Sequence, residues 1–179
     1  LGHKFTSQGI SPSEDHAKAL KNYPVPRNTK ELRTFLGLVT FFRDYIPERA
    51  RLTSDMFALT KKDATFQWNE DLQKNFELLL QILTSKPVLS FPDFSKEFHV
   101  FSDASCCGLG AVLTQLDENG SFKPIAYAAR SLLPYEKNLG VSELEALAVV
   151  QAVSWFEVYL RGNHFHLYSD HKALEYVFK

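Results

Sequence analysis

The chain has 179 residues, 45% of them hydrophobic and 13% aromatic, and a formal net charge of -1. That is enough apolar material for one large or two small packed domains, which excludes a disordered chain. Two cysteines exclude a disulfide scaffold, and no apolar run approaches the ~20 residues of a membrane span.

The small net charge hides an asymmetry. Residues 1–62 carry 11 Lys and Arg against 6 Asp and Glu, whereas residues 63–179 carry 9 against 15. A basic part joined to an acidic part suits phosphate contact beside cation binding, or simply two solvated faces of opposite sign. Cys106 and Cys107 are adjacent, and are read as reduced turn residues of an intracellular protein. No signal peptide is visible.

Residues 1–10 read as a strand with a turn at Gln8–Gly9. Ser11 to Asp15 reads as a helix start, with acids in the first turn, and the helix runs to about Asn22. Tyr23-Pro24-Val25-Pro26 breaks it. Asn28 and Glu31 form a capping box for a second helix, whose stripe is Leu32, Phe35, Leu36, Val39, Phe42 and Ile46. Lys30, Arg33 and Arg43 lie off that stripe, as phosphate contacts or as soluble surface. A third helix is expected from about Glu48 to Leu59, carrying Leu52, Met56 and Leu59 inward. Asn69 caps a fourth, to about Thr84, with Leu72, Phe76, Leu79, Leu80 and Leu83 on one side. Pro87 and Pro92 mark an extended link, with the domain boundary near residues 90–96.

The pattern then becomes β. Strands are expected at Phe98–Asp103, Gly110–Leu116 and Phe122–Ala129, the second and third joined by an Asn119–Gly120 turn. Pro124 favours an edge strand. A helix apolar nearly all round spans Val141 to about Leu160, a fourth strand spans Phe165 to Ser169, and helix resumes at His171. The order βββαβα gives an α+β layered fold, three antiparallel strands plus a crossover.

Three acids stand at element ends: Asp103, one of Glu143 or Glu145, and Asp170. Glu143 and Glu145 are about 200° apart on a helix and cannot share a face. Glu143 shares its stripe with Gln151, Ser154 and Arg161, whereas Glu145 lies with Ala148, Val149, Ala152 and Phe156, the sheet-facing side. Glu145 is therefore the acid aimed at Asp103. Oxygen ligands would favour Mg²⁺ or Mn²⁺. Ordinary roles compete: Ser142 and Glu145 also spell a capping box, Asp170 can cap a following helix, and Asp103 can accept turn amides. His99, His164, His166 and His171 read as strand or loop residues rather than ligands.

The strings LGHKFTSQGI, NTKELRTFLGLVTFFRDYI, KKDATFQW, SKPVLSFPDF, FSDASCCGLGAVLTQ, AARSL, SELEALAVVQAV and YSDHKALEYV run through the chain in that order. Together they resemble the Pol polyprotein of gypsy-type LTR retrotransposons, from the end of reverse transcriptase into its RNase H. The resemblance implies that residues 1–10 end the polymerase palm, 11–62 form the helical thumb and 63–95 the connection. Residues 96–179 would be an RNase H-like domain truncated at its C-terminus. That family hydrolyses the RNA strand of an RNA–DNA hybrid with two Mg²⁺ ions held by four carboxylates. Asp103, Glu145 and Asp170 match three of them as catalytic and metal-ligating residues. Lys30, Arg33, Arg43 and Ser105 would contact nucleic acid. Partners implied are hybrid, primer–template and the rest of the Pol polyprotein, in a cytoplasmic particle or the nucleus, with no membrane. The fourth acid is expected beyond Lys179 and the polymerase aspartates before Leu1. The chain alone is therefore expected to lack polymerase activity and to have little or no nuclease activity. The alternative is a non-catalytic nucleic-acid-binding or scaffold remnant.

Overall fold

The computed structural model describes residues 3–6, 9–85 and 88–171, with the backbone alone for 14–17. Expectations for Gln8, Pro87 and the helix after His171 fall outside these residues.

The chain opens with an antiparallel hairpin, β1 (His3–Thr6) and β2 (Gly9–Pro12). The second strand continues through Ser11 and Pro12, so the first helix, α1 (Glu14–Lys21), starts later than expected, with Ser13 at its N-cap position. Ile10 exchanges both backbone hydrogen bonds with Leu89, at 2.8 and 2.9 Å. This close approach requires glycine at position 9: a Cβ there would lie 2.1 Å from the Leu89 carbonyl oxygen, at a φ of +137°. Ser90 N then donates to Pro124 O at 2.7 Å, so the link between the two halves is tied to both.

The helical half follows the sequence pattern closely. In α2 (Thr29–Phe41), Asn28 Oδ1 accepts from Glu31 N at 3.0 Å, while the Glu31 carboxylate accepts from Arg27 N at 2.8 Å, one residue earlier than a standard capping box. Leu32, Phe35, Leu36, Val39, Phe42 and Ile46 are all buried, the last two beyond the helix end around a 3₁₀ turn at Arg43–Tyr45. Helix α3 (Arg49–Ala58) adds Leu52 and Met56. Helix α4 (Glu70–Thr84), capped by Asn69, adds Leu72, Phe76, Leu79 and Leu83. Full burial of each such side chain contributes about 1.5–3 kcal/mol. One core results, with Phe35 and Phe76 in ring contact at 4.8 Å.

The second half is a four-stranded sheet: β3 (Phe98–Ala104), β4 (Gly108–Leu116), β5 (Phe122–Ser131) and β6 (Phe165–Tyr168), in the order β5-β4-β3-β6. The first three strands are antiparallel, as expected, and after the crossover β6 lies parallel to β3. Edge strand β5 holds Pro124, and its register slips by one residue at Ile125, where the missing proline donor would have interrupted the ladder. The crossover is α5 (Val141–Trp155), followed after a break at Phe156 by a single turn, α6 (Glu157–Leu160). The long helix thus stops short of the expected Leu160. Its all-round apolarity is also not matched by all-round burial. Ala148, Val149 and Ala152 pack inward, while Val141 and Val150 are exposed.

The halves meet through α3, which packs on β4 and β5. Gly108 is the contact: a Cβ there would lie 2.6 Å from Ala50 Cβ and 2.6 Å from Arg130 O. Arg49 Nη2 donates to Ala129 O at 2.7 Å beside it.

Candidate metal centre

Parallel pairing of β3 with β6 puts their C-terminal ends side by side. Phe98 pairs with Phe165, His99 with His166, Val100 with Leu167 and Phe101 with Tyr168. Continuing that register by two residues places Asp103 beside Asp170. The alternation of side chains then makes a ladder of like pairs on one face. His99 stacks on His166 at 4.9 Å, Phe101 stacks on Tyr168 at 4.5 Å, and the two aspartates follow.

Glu145 reaches the same point from α5. Its helix packs along β3, and its first turn sets its angle. The N-cap is Gly140, whose N–H donates to Glu143 Oε2 at 2.8 Å. The alternative box of Ser142 with Glu145 does not form, because the Ser142 hydroxyl bonds His171 Nε2 at 2.8 Å instead. Glu143 is thus occupied at the helix end, and Glu145 is 4% exposed on the face with Ala148, Val149 and Ala152.

One carboxylate oxygen from each of Asp103, Glu145 and Asp170 lies within 4.8 Å of the others. Glu145 Oε2 is buried and has no hydrogen-bond partner, the one such side-chain atom among the described residues. A buried carboxylate oxygen without a donor is costly unless a cation or a proton compensates it. The three groups also work against one another. Burial raises the Glu145 carboxyl above its ordinary range, with the charges of Asp170 and Asp103 adding to it. Asp103 is raised by burial, then by Asp170 and more weakly by Glu48, while the Ala104 N–H draws it part of the way back. Hard oxygen donors, mutual repulsion and an orphaned oxygen fit a divalent ion of the Mg²⁺ or Mn²⁺ type better than zinc.

The other candidate residues are dispersed. Arg33 Nη2 donates to Thr60 O at 2.8 Å, tying the end of α3 to α2. Arg43 pairs with Asp44 at 3.4 Å, and Lys30 is exposed on the first turn of α2. Ser105 is used by its own turn, accepting from Cys107 N and Gly108 N.

Two features escaped sequence reasoning. Arg130 grips Glu136 through Nη1–Oε2 and Nη2–Oε1 bonds of 2.6 and 2.8 Å and donates to Gln151 Oε1 at 3.1 Å, clamping the approach to α5. The second did carry a signal: FHVFSD at 98–103 and FHLYSD at 165–170 are near-repeats, and like residues pair with like across the parallel ladder.

Comparison with known proteins adds the following. The family model described as an RNase H-like domain found in reverse transcriptase matches residues 68–167. The Pol polyprotein of Drosophila melanogaster transposon 412 is 38% identical over 178 residues, covering 99% of this chain and 14% of the relative. That of transposon 297 is 38% identical over 178 residues, covering 99% of this chain and 16% of the relative. The Schizosaccharomyces pombe transposon Tf2-3 polyprotein is 32% identical over 176 residues, 97% of this chain and 13% of the relative. The chain thus spans about one-seventh of the length of these relatives. Among solved structures, the foamy viral protease-reverse transcriptase in complex with dsDNA aligns at a TM-score of 0.78 with 22% identity, over 99% of this chain and 37% of that one. The same enzyme in complex with RNA/DNA hybrid aligns at 0.75 and 22%, over 96% and 23%. These likenesses bear out the fold. No helix among the described residues is long and apolar enough to cross a membrane.

Proposed function

The chain belongs to the family of RNase H-like domains found in reverse transcriptase, and from that premise we propose that Asp103, Glu145 and Asp170 are the metal-binding carboxylates of a hybrid-cleaving ribonuclease within a retrotransposon Pol polyprotein. The observation that carries this reading is the convergence of one carboxylate oxygen from each of the three acids to within 4.8 Å, in a cluster where Glu145 also keeps a buried, unpartnered Oε2. Bound Mg²⁺ or Mn²⁺ would activate a water and stabilise the leaving 3′ oxygen. Asp103 and Asp170, exposed at the strand ends, present oxygens toward the substrate side, and Glu145 anchors the site from within. The substrate is an RNA–DNA hybrid, read by shape and 2′-OH contacts rather than base edges. Lys30, Arg33 and Arg43 are the proposed phosphate contacts along the helical half, with Ser105 at the turn beside the centre. Residues 11–62 serve as thumb, 63–95 as connection and 96–171 as the described part of the nuclease.

Titrating Mg²⁺ while observing carboxylate resonances tests the site. Glu145, Asp103 and Asp170 are expected to shift together, and Asp103→Asn to abolish the response of the remaining two. No metal-dependent shift in the wild-type chain would overturn the reading. A second reading, a non-catalytic nucleic-acid-binding remnant, draws on the basic character of residues 1–62. It requires salt-sensitive hybrid binding with no dependence on divalent ions.

A further inference from the structure

Cys106 and Cys107 are the chain's two cysteines, and they sit at the tip of the turn that joins β3 to β4. Ser105 fixes that turn. Its N–H donates to Gly108 O at 2.9 Å, its hydroxyl donates to the same oxygen at 3.2 Å, and its Oγ accepts from Cys107 N at 3.3 Å and Gly108 N at 3.1 Å. On this frame the two Sγ atoms stand 3.6 Å apart, with Cys106 exposed and Cys107 half-buried. Cys107 faces the Ser54 hydroxyl of α3, with the charge of Asp55 nearby.

Neighbouring Cα atoms are about 3.8 Å apart across a trans peptide, short of the ~4.4 Å minimum usual for a disulfide. The sulfur spacing suits a different bond pattern. Two sulfurs bound at ~2.3 Å to one centre lie roughly 3.4–3.8 Å apart for bond angles of about 95–110°, a range that covers a pyramidal as well as a tetrahedral centre. A structural zinc ion would call for two more ligands, and the chain has no third thiol. A trivalent arsenic carrying one organic group needs only two sulfurs. Cys106 also lines a cavity of about 270 Å³ whose walls include Leu132, Leu139, Val141 and Leu144 and whose floor reaches Glu145. Such walls accept an aromatic group.

We propose that Cys106 and Cys107 form a chelating site for a thiophilic trivalent organoarsenical, with its organic group seated in the adjoining apolar cavity. The condensation balances without an oxidant: both thiols bond to arsenic, the arsenic–oxygen double bond breaks, and its oxygen leaves as water with the two thiol protons. Arsenic remains trivalent. Neither sulfur is a ligand of the carboxylate centre, although the cavity borders Glu145, so capture of the arsenical is read out without reference to nuclease activity.

The probe is phenylarsine oxide, added to the intact chain and followed by mass spectrometry and thiol titration. One adduct per chain is expected, with both thiols consumed. The adduct should survive excess 2-mercaptoethanol and be released by dimercaptopropanol, because chelation raises retention about 10²-fold or more over a single thiolate bond. Cys106→Ser and Cys107→Ser should each lose that retention. Two adducts per chain, one thiol left free, or ready removal by 2-mercaptoethanol would overturn the proposal with the wild-type chain alone, whatever the variants do.

Discussion

Arg130 and Glu136 hold each other in a two-pronged ion pair, and Glu136 also accepts from Leu133 N at 2.7 Å. The hydrogen bonds from Arg130, then that from Leu133, keep the Glu136 carboxyl below its ordinary range. A carboxyl depressed in the fold contributes stability that is complete above its unfolded value and is lost as pH falls through the folded one. Glu136→Gln should therefore lower the thermal midpoint by several degrees near neutral pH. The gap between variant and wild type should close in acid. Thermal melts across a pH series check this, and a pH-independent gap would assign the effect to packing.

Glu145 has the opposite sign. Its proton affinity is raised by burial and by the two aspartates, so the metal-free fold is penalised as pH rises from the ordinary carboxylate range through the raised value. Glu145→Gln should stabilise the metal-free protein at neutral pH by about 1 kcal/mol and have little effect in acid. Mg²⁺ should reverse the ranking, because only the wild type gains binding energy on folding. Denaturant titrations with and without Mg²⁺ measure both. A variant that is weaker at every pH and equally responsive to Mg²⁺ would count against a carboxylate cluster.

The sequence made the helical half legible because each helix is amphipathic and locally capped: Asn28 and Asn69 bond the amides they were expected to bond. The choice of Glu145 over Glu143 was also legible, since angular position on a helix is a local property. Three things were not. The Arg130–Glu136 clamp joins two irregular ends, where no periodicity operates. The break at Phe156 falls in an apolar stretch that has no Gly or Pro to mark it, and α6 resumes beyond it. The docking of α3 on β4 is a contact between halves, visible only as a glycine whose neighbours are unknown until the chain folds.

That docking can be tested at Gly108. A methyl group there would meet Ala50 Cβ and the Arg130 carbonyl, neither the free end of a flexible side chain. Gly108→Ala should cost about 1–3 kcal/mol as overpacking. Gly37→Ala is the matched control: a Cβ added there would meet nothing within 4 Å and the position is in mid-helix, so it should gain up to about 1 kcal/mol. Equal effects from the two substitutions would mean that α3 does not press on the sheet.

Glu48 is the one non-glycine residue with positive φ among those described, at φ 47° and ψ 29°, where the chain turns into α3. Left-handed backbone costs a side chain roughly 1–2 kcal/mol. Its carboxylate pairs with Arg51 in solvent, a contact worth about 0–1 kcal/mol. Both Glu48→Gly and Glu48→Ala lose the pair, but only glycine relieves the backbone, so the glycine variant should exceed the alanine variant by about 1 kcal/mol. Glu48 also raises the Asp103 carboxyl. Both variants should therefore move the Asp103 titration toward lower pH by the same amount, although their stabilities differ. Carbon-detected titration of Asp103 beside chemical denaturation separates the two effects. A shift in the glycine variant alone would show that backbone geometry, not charge, couples α3 to the carboxylate centre.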